Sequence, residues 1–370
     1  MLSFFPQSQV AGNTTARVSH VVSSVKLKGR IKCLLLSVFL VLFLFGSCSK
    51  DVMPGIPDLQ EGSDIQLGKM VGLGNVSVRD PALILADSTY YLFGSGKGIK
   101  IWSSTDLLNW KVQLPVFVRA PAWTNVNIPG FNNEIWAPEI TFYKDRYYLF
   151  YSVSTYGSNN SAIGLATNET LNPEADNYKW VDQGMITQSV GTSWNAIDPN
   201  FVLDNDSIPH LVLGSFYSGI KITKILRDNL GMKAEQITKA TLANRDLKEN
   251  PYNAIEAPFV LKHNNYYYLF ASINNCCSGI NSDYKTIVGR SKDIDGIYVD
   301  KKGRSMAAGG GELVLAGSTN WHGAGGASVY NFKGQDKIVF FSHDNTGVPR
   351  LRIADLRWDA AAWPSVDLKD

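Results

Sequence analysis

Short apolar runs, each opened by a proline beside an acidic residue, recur along this chain. Val78-Arg79-Asp80-Pro81-Ala82-Leu83-Ile84 is followed by Trp136-Ala137-Pro138-Glu139-Ile140. Asn195-Ala196-Ile197-Asp198-Pro199-Asn200-Phe201-Val202-Leu203 and Ile255-Glu256-Ala257-Pro258-Phe259-Val260 repeat the design. Proline fixes φ and lacks a donor, which suits the first residue of a strand and not its interior. Each acid therefore stands at a strand entrance, where its side chain can face a cleft. About nine to twelve residues on comes an aromatic strand ending in a small residue, a hairpin spacing. These strands run from Tyr90 to Ser95, Tyr147 to Ser152, Pro209 to Ser215 and Tyr266 to Ser272, with a fifth from Ile338 to Ser342. A third strand follows, as in Ile99 to Ser104 and Thr286 to Ser291. The unit returns at roughly 55 to 75 residues, the range of propeller and solenoid repeats. Five such units predict an all-β, five-bladed β-propeller with carboxylates gathered at one end. A two-sheet sandwich is the competing architecture.

Composition narrows the surroundings of that domain. Lys26, Lys28, Arg30 and Lys32 precede the apolar run Leu34 to Phe45, too short to span a bilayer but matching a signal peptide. The run ends Phe45-Gly46-Ser47-Cys48, small residues before a cysteine, which resembles a bacterial lipobox. The expected organisation is a lipoprotein-type signal over 1–47, lipidated Cys48 with a tether over 48–71, and the propeller over 72–370. Ordinary signal cleavage is the alternative. Lipidation would place the chain in a bacterial cell envelope, held to a membrane by its N-terminus. Residues 1–47 hold five Lys/Arg and no Asp or Glu, so their removal turns a net charge of +2 into −3. A mildly acidic domain without basic stripes argues against a nucleic-acid partner. Cys276 and Cys277 are then the remaining cysteines. Neighbouring cysteines rarely bond each other, so no disulfide is expected. No zinc-type spacing occurs. The long connections Pro115–Asn133, Asn168–Ser193 and Asn274–Lys285 carry Trp123, Phe131, Trp180 and Tyr284, and loops of that length usually build a binding rim.

Asp80, Asp198 and Glu256 come from three different entrances, so a propeller would bring them together around its axis. Hydrolysis of a glycosidic bond needs one protonated acid and one ionised carboxylate, and crowded acids raise each other's pKa. Singly, an Asp before Pro is as readily a turn residue. The recurrence at matching repeat positions favours chemistry.

The set Arg79-Asp80-Pro81, Trp136-Ala137-Pro138-Glu139, Ala196-Ile197-Asp198-Pro199 and Glu256-Ala257-Pro258 resembles glycoside hydrolase family 43. Gly214-Ser215-Phe216-Tyr217-Ser218-Gly219-Ile220, Cys276-Cys277-Ser278-Gly279 with Tyr284-Lys285, and Leu351-Arg352-Ile353 with Trp363-Pro364 resemble its endo-α-1,5-L-arabinanase branch. The resemblance implies an inverting glycoside hydrolase that cuts internal α-1,5-L-arabinofuranosidic bonds of arabinan, the side chains of pectin. It makes Asp80 the general base, Glu256 the general acid and Asp198 the residue that orients the acid and tunes its pKa. Asn195, Ser215 and Phe216 fall where the family lines its groove. Trp136 and Trp194 are the candidates for stacking on furanose rings. Glu139 aligns with a motif acid but is read as structural. The branch carries Gly-Pro-Gly-His in its fifth blade, and the histidine helps hold an axial ion. Here Gly323-Ala324-Gly325-Gly326 stands there, so Gly326 replaces the histidine, and His322 lies four residues upstream. No cofactor is required for the chemistry. A structural Ca²⁺ held largely by water stays open. Arg79 stands where a histidine often precedes the base. The expected protein is a monomer acting on arabinan or its oligosaccharides. Its rivals are an exo-acting α-L-arabinofuranosidase or β-xylosidase of the same family, and a non-catalytic surface glycan-binding lipoprotein.

Overall fold

The computed structural model describes residues 67–228, 231–235 and 241–368. The signal segment, Cys48 and most of the tether lie outside the described residues. Five antiparallel sheets follow one another along the chain, each built on a meander, and together they make a five-bladed β-propeller. Gly96–Lys97, from the first blade's stretch of chain, pairs with Glu134 and Ile135 at the edge of the second. The innermost strands are Ala82–Ala86, Glu134–Tyr143, Asn200–Leu203, Ile255–His263 and His322–Phe332. Each pairs with the aromatic strand that the sequence pattern placed next, for example Ala82 opposite Phe93 and Ile255 opposite Ile273.

Every blade also has a fourth strand: Asn109–Val112, Val181–Gln188, Gly231–Ala234, Glu312–Leu315 and Pro364–Val366. Met70–Gly72 adds a fifth strand to the edge of the first blade, with Val71 opposite Trp110. The core lies between blades rather than within one. Phe93, Ile101, Leu149 and Tyr151 fill the space between the first and second blades. Tyr268, Phe270, Val329 and Phe340 do the same between the fourth and fifth.

Among the described residues no strand is shared between the first and fifth blades, and the ring closes through side chains and single hydrogen bonds. Tyr330 Oη accepts from Leu83 N at 3.0 Å, Ser328 Oγ donates to Pro81 O at 3.1 Å, and Leu351 N donates to Val76 O at 3.0 Å. Val78, Leu83, Leu92, Phe332, Val339 and Leu351 bury the seam.

Two expectations about the connections are corrected. Trp123, on the short helix Ala122–Asn127, packs on Tyr151, Phe131 is buried in the same cluster, and Trp180 packs edge-on against Phe93. These aromatics complete the core between two blades instead of lining a rim. Cys276 and Cys277 are joined by a disulfide, with Cys277 in the left-handed region at φ 62°. The general rarity of bonds between neighbours gives way here to a loop bent at the second cysteine.

Candidate active site

All five innermost strands have a left-handed residue just before or just inside their start: Asp80 (φ 52°), Ala137 (41°), Asp198 (57°), Ala257 (47°) and Gly326 (59°), the fifth strand having Gly323 (65°) as well. Proline follows in the first four. A residue before proline is pushed out of the right-handed helical region, and an aspartate tolerates the left-handed one better than most. Alanine does not, so Ala137 and Ala257 are held there at a cost of about 1 kcal/mol or more. In these two blades the ladder slips between Trp136 and Glu139 and between Glu256 and Phe259. Bulges of this kind re-aim a side chain. The repeat therefore has two ways of presenting a group at the mouth. In the first and third blades the left-handed residue is itself the acid, Asp80 or Asp198. In the second and fourth it is alanine, and the preceding residue, Trp136 or Glu256, is displayed.

A ring of serines holds these entrances. Ser95, Ser152, Ser215, Ser272 and Ser342 end the second strands of the five blades, and all are buried. Ala137 N donates to Ser95 Oγ (2.8 Å), Asp198 N to Ser152 Oγ (3.0 Å) and Gly326 N to Ser272 Oγ (2.9 Å). These three serines thus fasten the entrance of the following blade, whereas Ser342 Oγ accepts from Arg352 Nε of its own blade at 3.0 Å. Ser215 instead donates to Glu256 Oε2 at 2.8 Å. The resemblance put Ser215 in the substrate groove, but its hydroxyl is engaged by the acid.

Asp80, Asp198 and Glu256 come together at the mouth, each half-buried. Asp198 Oδ2 accepts from Ala257 N at 3.0 Å, which fixes it beside the strand that bears Glu256. Burial pushes the Asp80 carboxyl up, while the Arg79 guanidinium, Ser95 Oγ and Ala137 N pull it down. Burial and then the charges of Glu256 and Asp80 push Asp198 well above its ordinary value, opposed by Ala257 N. Burial raises Glu256 as well, against hydrogen bonds from Ser215 and Tyr284, with Asp80 adding to the rise. Asp198 and Glu256 therefore titrate as a pair, and the charge of Asp80 acts on both. Of the three, only Asp80 has a guanidinium beside it, so it is the best placed to hold the negative charge while its neighbours keep protons.

The remaining candidates spread outward from this trio. Asn195 is buried, and its Oδ1 has no hydrogen-bond partner among the described residues. Phe216, at φ 53°, is half-buried and tied to the Glu256 strand by its N–H on Ile255 O at 2.9 Å. Trp136 is half-exposed at the position equivalent to Glu256. Trp194 is half-buried against the cluster between the second and third blades, so part of its ring is packing. Tyr284 was placed on a rim loop by the sequence, yet it is 2% exposed and its hydroxyl is directed at Glu256 and Ser272. Its signal in the sequence was the run of small residues it packs against, Gly323 to Gly326. Glu139 lies buried beneath the mouth, where Oε1 accepts from Asn200 Nδ2 (2.9 Å) and Phe201 N (3.3 Å).

A histidine-held axial ion does not fit these residues. A Cβ at Gly326 would already meet the Phe341 ring at 2.9 Å, so that ring fills the space a side chain there would need. His322 points elsewhere, with Nε2 3.1 Å from Asn345 Oδ1. Among the described residues no group of three or more His, Cys, Asp or Glu is placed to hold a metal.

The family model for glycosyl hydrolases family 43 matches residues 73–364. The chain belongs to glycosyl hydrolase family 43. An extracellular exo-α-(1→5)-L-arabinofuranosidase of Cellvibrio japonicus is 40% identical over 309 residues, which are 81% of this chain and 89% of that protein. An extracellular endo-α-(1→5)-L-arabinanase of Bacillus subtilis is 39% identical over 299 residues, 80% of this chain and 89% of the other. The crystal structure of an exo-1,5-α-L-arabinanase from a bovine ruminal metagenomic library superposes with a TM-score of 0.76. It is 41% identical, and the match covers 80% of this chain and 98% of that one. In this family 43 chain the three carboxyl groups stand at the mouth of a fold its relatives share.

Proposed function

We propose that this family 43 protein is an inverting, endo-acting α-1,5-L-arabinanase of arabinan. The observation that carries the reading is the meeting of Asp80, Asp198 and Glu256, from three blades, at one mouth, with Asp198 Oδ2 on Ala257 N and Ser215 Oγ on Glu256. Asp80 takes a proton from a water molecule, whose oxygen attacks the anomeric carbon of one arabinofuranosyl unit. The bond from that carbon to the O5 of the next sugar breaks, and Glu256 gives its proton to the departing oxygen. The attack inverts the configuration in one displacement through an oxocarbenium-like transition state. Asp198 acts on Glu256 by its hold on Ala257 N, the residue next to the acid. Only water and protons move, so the chemistry requires no cofactor. Asn195 Oδ1 accepts a sugar hydroxyl, and the Trp136 and Phe216 rings meet the C–H faces of furanoses.

Chromatography of early products from debranched arabinan tests the reading. A ladder of arabino-oligosaccharides supports endo action. Arabinose alone, or one fixed short oligomer, replaces it with the exo reading that the Cellvibrio relative favours. Binding without any product replaces both with a glycan-binding protein. We further propose lipid anchoring at Cys48 in the envelope and action as a monomer. Cys48→Ala is expected to move the protein from the membrane fraction to the soluble one, and unchanged partitioning refutes the anchor.

A further inference from the structure

We propose that Tyr284 is the positioning residue of the general acid, seated by Gly325 and Gly326 in a wedge with Phe341 where the family's axial histidine would stand. The inference rests on the assignment of Glu256 as the acid.

The backbone around Tyr284 is built to fit its ring. A Cβ on Gly325 would fall 2.2 Å from Cδ1 and Cε1 of Tyr284, and one on Gly323 would fall 3.1 Å from its Cβ. Real contacts do not reach 2.2 Å, so any side chain at 325 displaces the ring. Ala324 N donates to Tyr284 O at 2.7 Å and Thr286 Oγ1 donates to Ala324 O at 3.1 Å, which pins the two segments together. The Phe341 ring lies 5.9 Å from that of Tyr284, centroid to centroid, and closes the seat from the fifth blade. Both rings are almost wholly buried. The tyrosine hydroxyl has Glu256 and Ser272 within hydrogen-bond reach, and Ser272 in turn accepts from Gly326 N. Gly326 is therefore part of an aromatic wedge against the acid, to which Ser215 Oγ also donates.

The sign of the effect is set by the donor. Tyr284 donates to Glu256, which favours the ionised carboxylate and offsets part of the rise that burial causes. A general acid works best with its pKa near the operating pH. Without the hydroxyl, Glu256 is a weaker acid and keeps the Ser215 bond without the Tyr284 one.

Tyr284→Phe keeps the ring and removes that bond. The expected result is an unchanged Tm and KM, a kcat on arabinan lower by roughly tenfold, the scale of one hydrogen bond to an ionisable group, and a basic limb of the pH profile moved to higher pH. On an aryl arabino-oligosaccharide, whose phenol departs without a proton, the loss is expected to be smaller. Gly325→Ala, which pushes the ring, is expected to move the same limb the same way. Titration of the ¹³C-labelled Glu256 carboxyl, with no substrate present, is expected to rise in Tyr284→Phe. Wild-type kcat and titration in Tyr284→Phe overturn the proposal. So does a fall in kcat with limb and titration unmoved, which makes the tyrosine a packing residue. A wild-type chain inert on arabinan whose Glu256 titration still rises on Tyr284→Phe overturns the assigned activity and keeps the wedge.

Discussion

The second and fourth blades open on nearly the same words, Trp136-Ala137-Pro138-Glu139 and Glu256-Ala257-Pro258-Phe259, and put a glutamate to opposite uses. Both alanines sit in the left-handed region and both ladders slip there. Glu256 precedes the alanine, so the bulge displays it at the mouth beside Asp80 and Asp198. Glu139 follows the proline, so it points into the ring of blades, where it ties to Asn200 of the third blade. Asn200 Oδ1 passes the tie on to Val260 N of the fourth at 2.8 Å. Being a buried glutamate in a propeller does not decide a role. Its place relative to the left-handed residue does.

The largest effect that comparison predicts is at the mouth. Glu256→Gln and Asp80→Asn are each expected to lower kcat on arabinan by about 10² to 10⁴, the usual worth of general acid–base catalysis. Thermal unfolding is expected to stay within a few degrees of wild type, since both replacements keep shape and hydrogen-bonding capacity. Near wild-type turnover in either variant moves the chemistry to other residues and dissolves the contrast with Glu139.

How far the sequence alone reached follows from the same geometry. The inner two strands of each blade were legible because they are buried or half-buried along most of their length and read as aromatic and aliphatic runs. The outermost strands, such as Asn109–Val112 and Val181–Gln188, alternate with or consist largely of exposed residues and carry no such run. The entrances were legible through their prolines. The second strands' small terminal residue was legible too, but that it is serine all five times, four of them tied to a strand entrance, was not read from it. Tyr284 escaped because its meaning depends on Gly325 of the neighbouring blade, a contact no local pattern encodes. The Cys276–Cys277 bond escaped for a related reason: the bend at Cys277 is fixed by the loop around it.

Trp136 sharpens the comparison from the other side, since it stands in the second blade where Glu256 stands in the fourth. Trp136→Ala is expected to raise KM for arabinan about three- to tenfold, the scale of one aromatic contact, and to leave kcat within about twofold. A fall in kcat with KM unchanged would place the indole in the transition state instead of on a bound sugar ring.

The smallest effect belongs to Glu139. Burial raises its carboxyl from an ordinary 4.5 to about 8, against the opposing bonds from Phe201 N and Asn200. A carboxyl whose folded pKa is raised binds its proton more tightly when folded. Below pH 4.5 both states are protonated and the folded state keeps its full advantage. As pH climbs towards 8 the unfolded chain ionises first, so stability falls, by at most about 1.4 kcal/mol per pH unit for one proton. Above that the loss levels off. Asp80, Asp198 and Glu256, also raised, add slopes of the same sign. Glu139→Gln keeps an Oε1 for Asn200 and Phe201 but cannot ionise, so its Tm is expected to fall less than that of wild type between pH 5 and pH 8. Its kcat is expected to be unchanged, because no bond of Glu139 leads to the mouth except through the blades themselves. Parallel Tm slopes in the two proteins would mean that Glu139 is ionised like a surface acid. A lowered kcat would mean that the tie through Asn200 to the fourth blade holds Glu256 as well as the ring, and that the two glutamates work as one device.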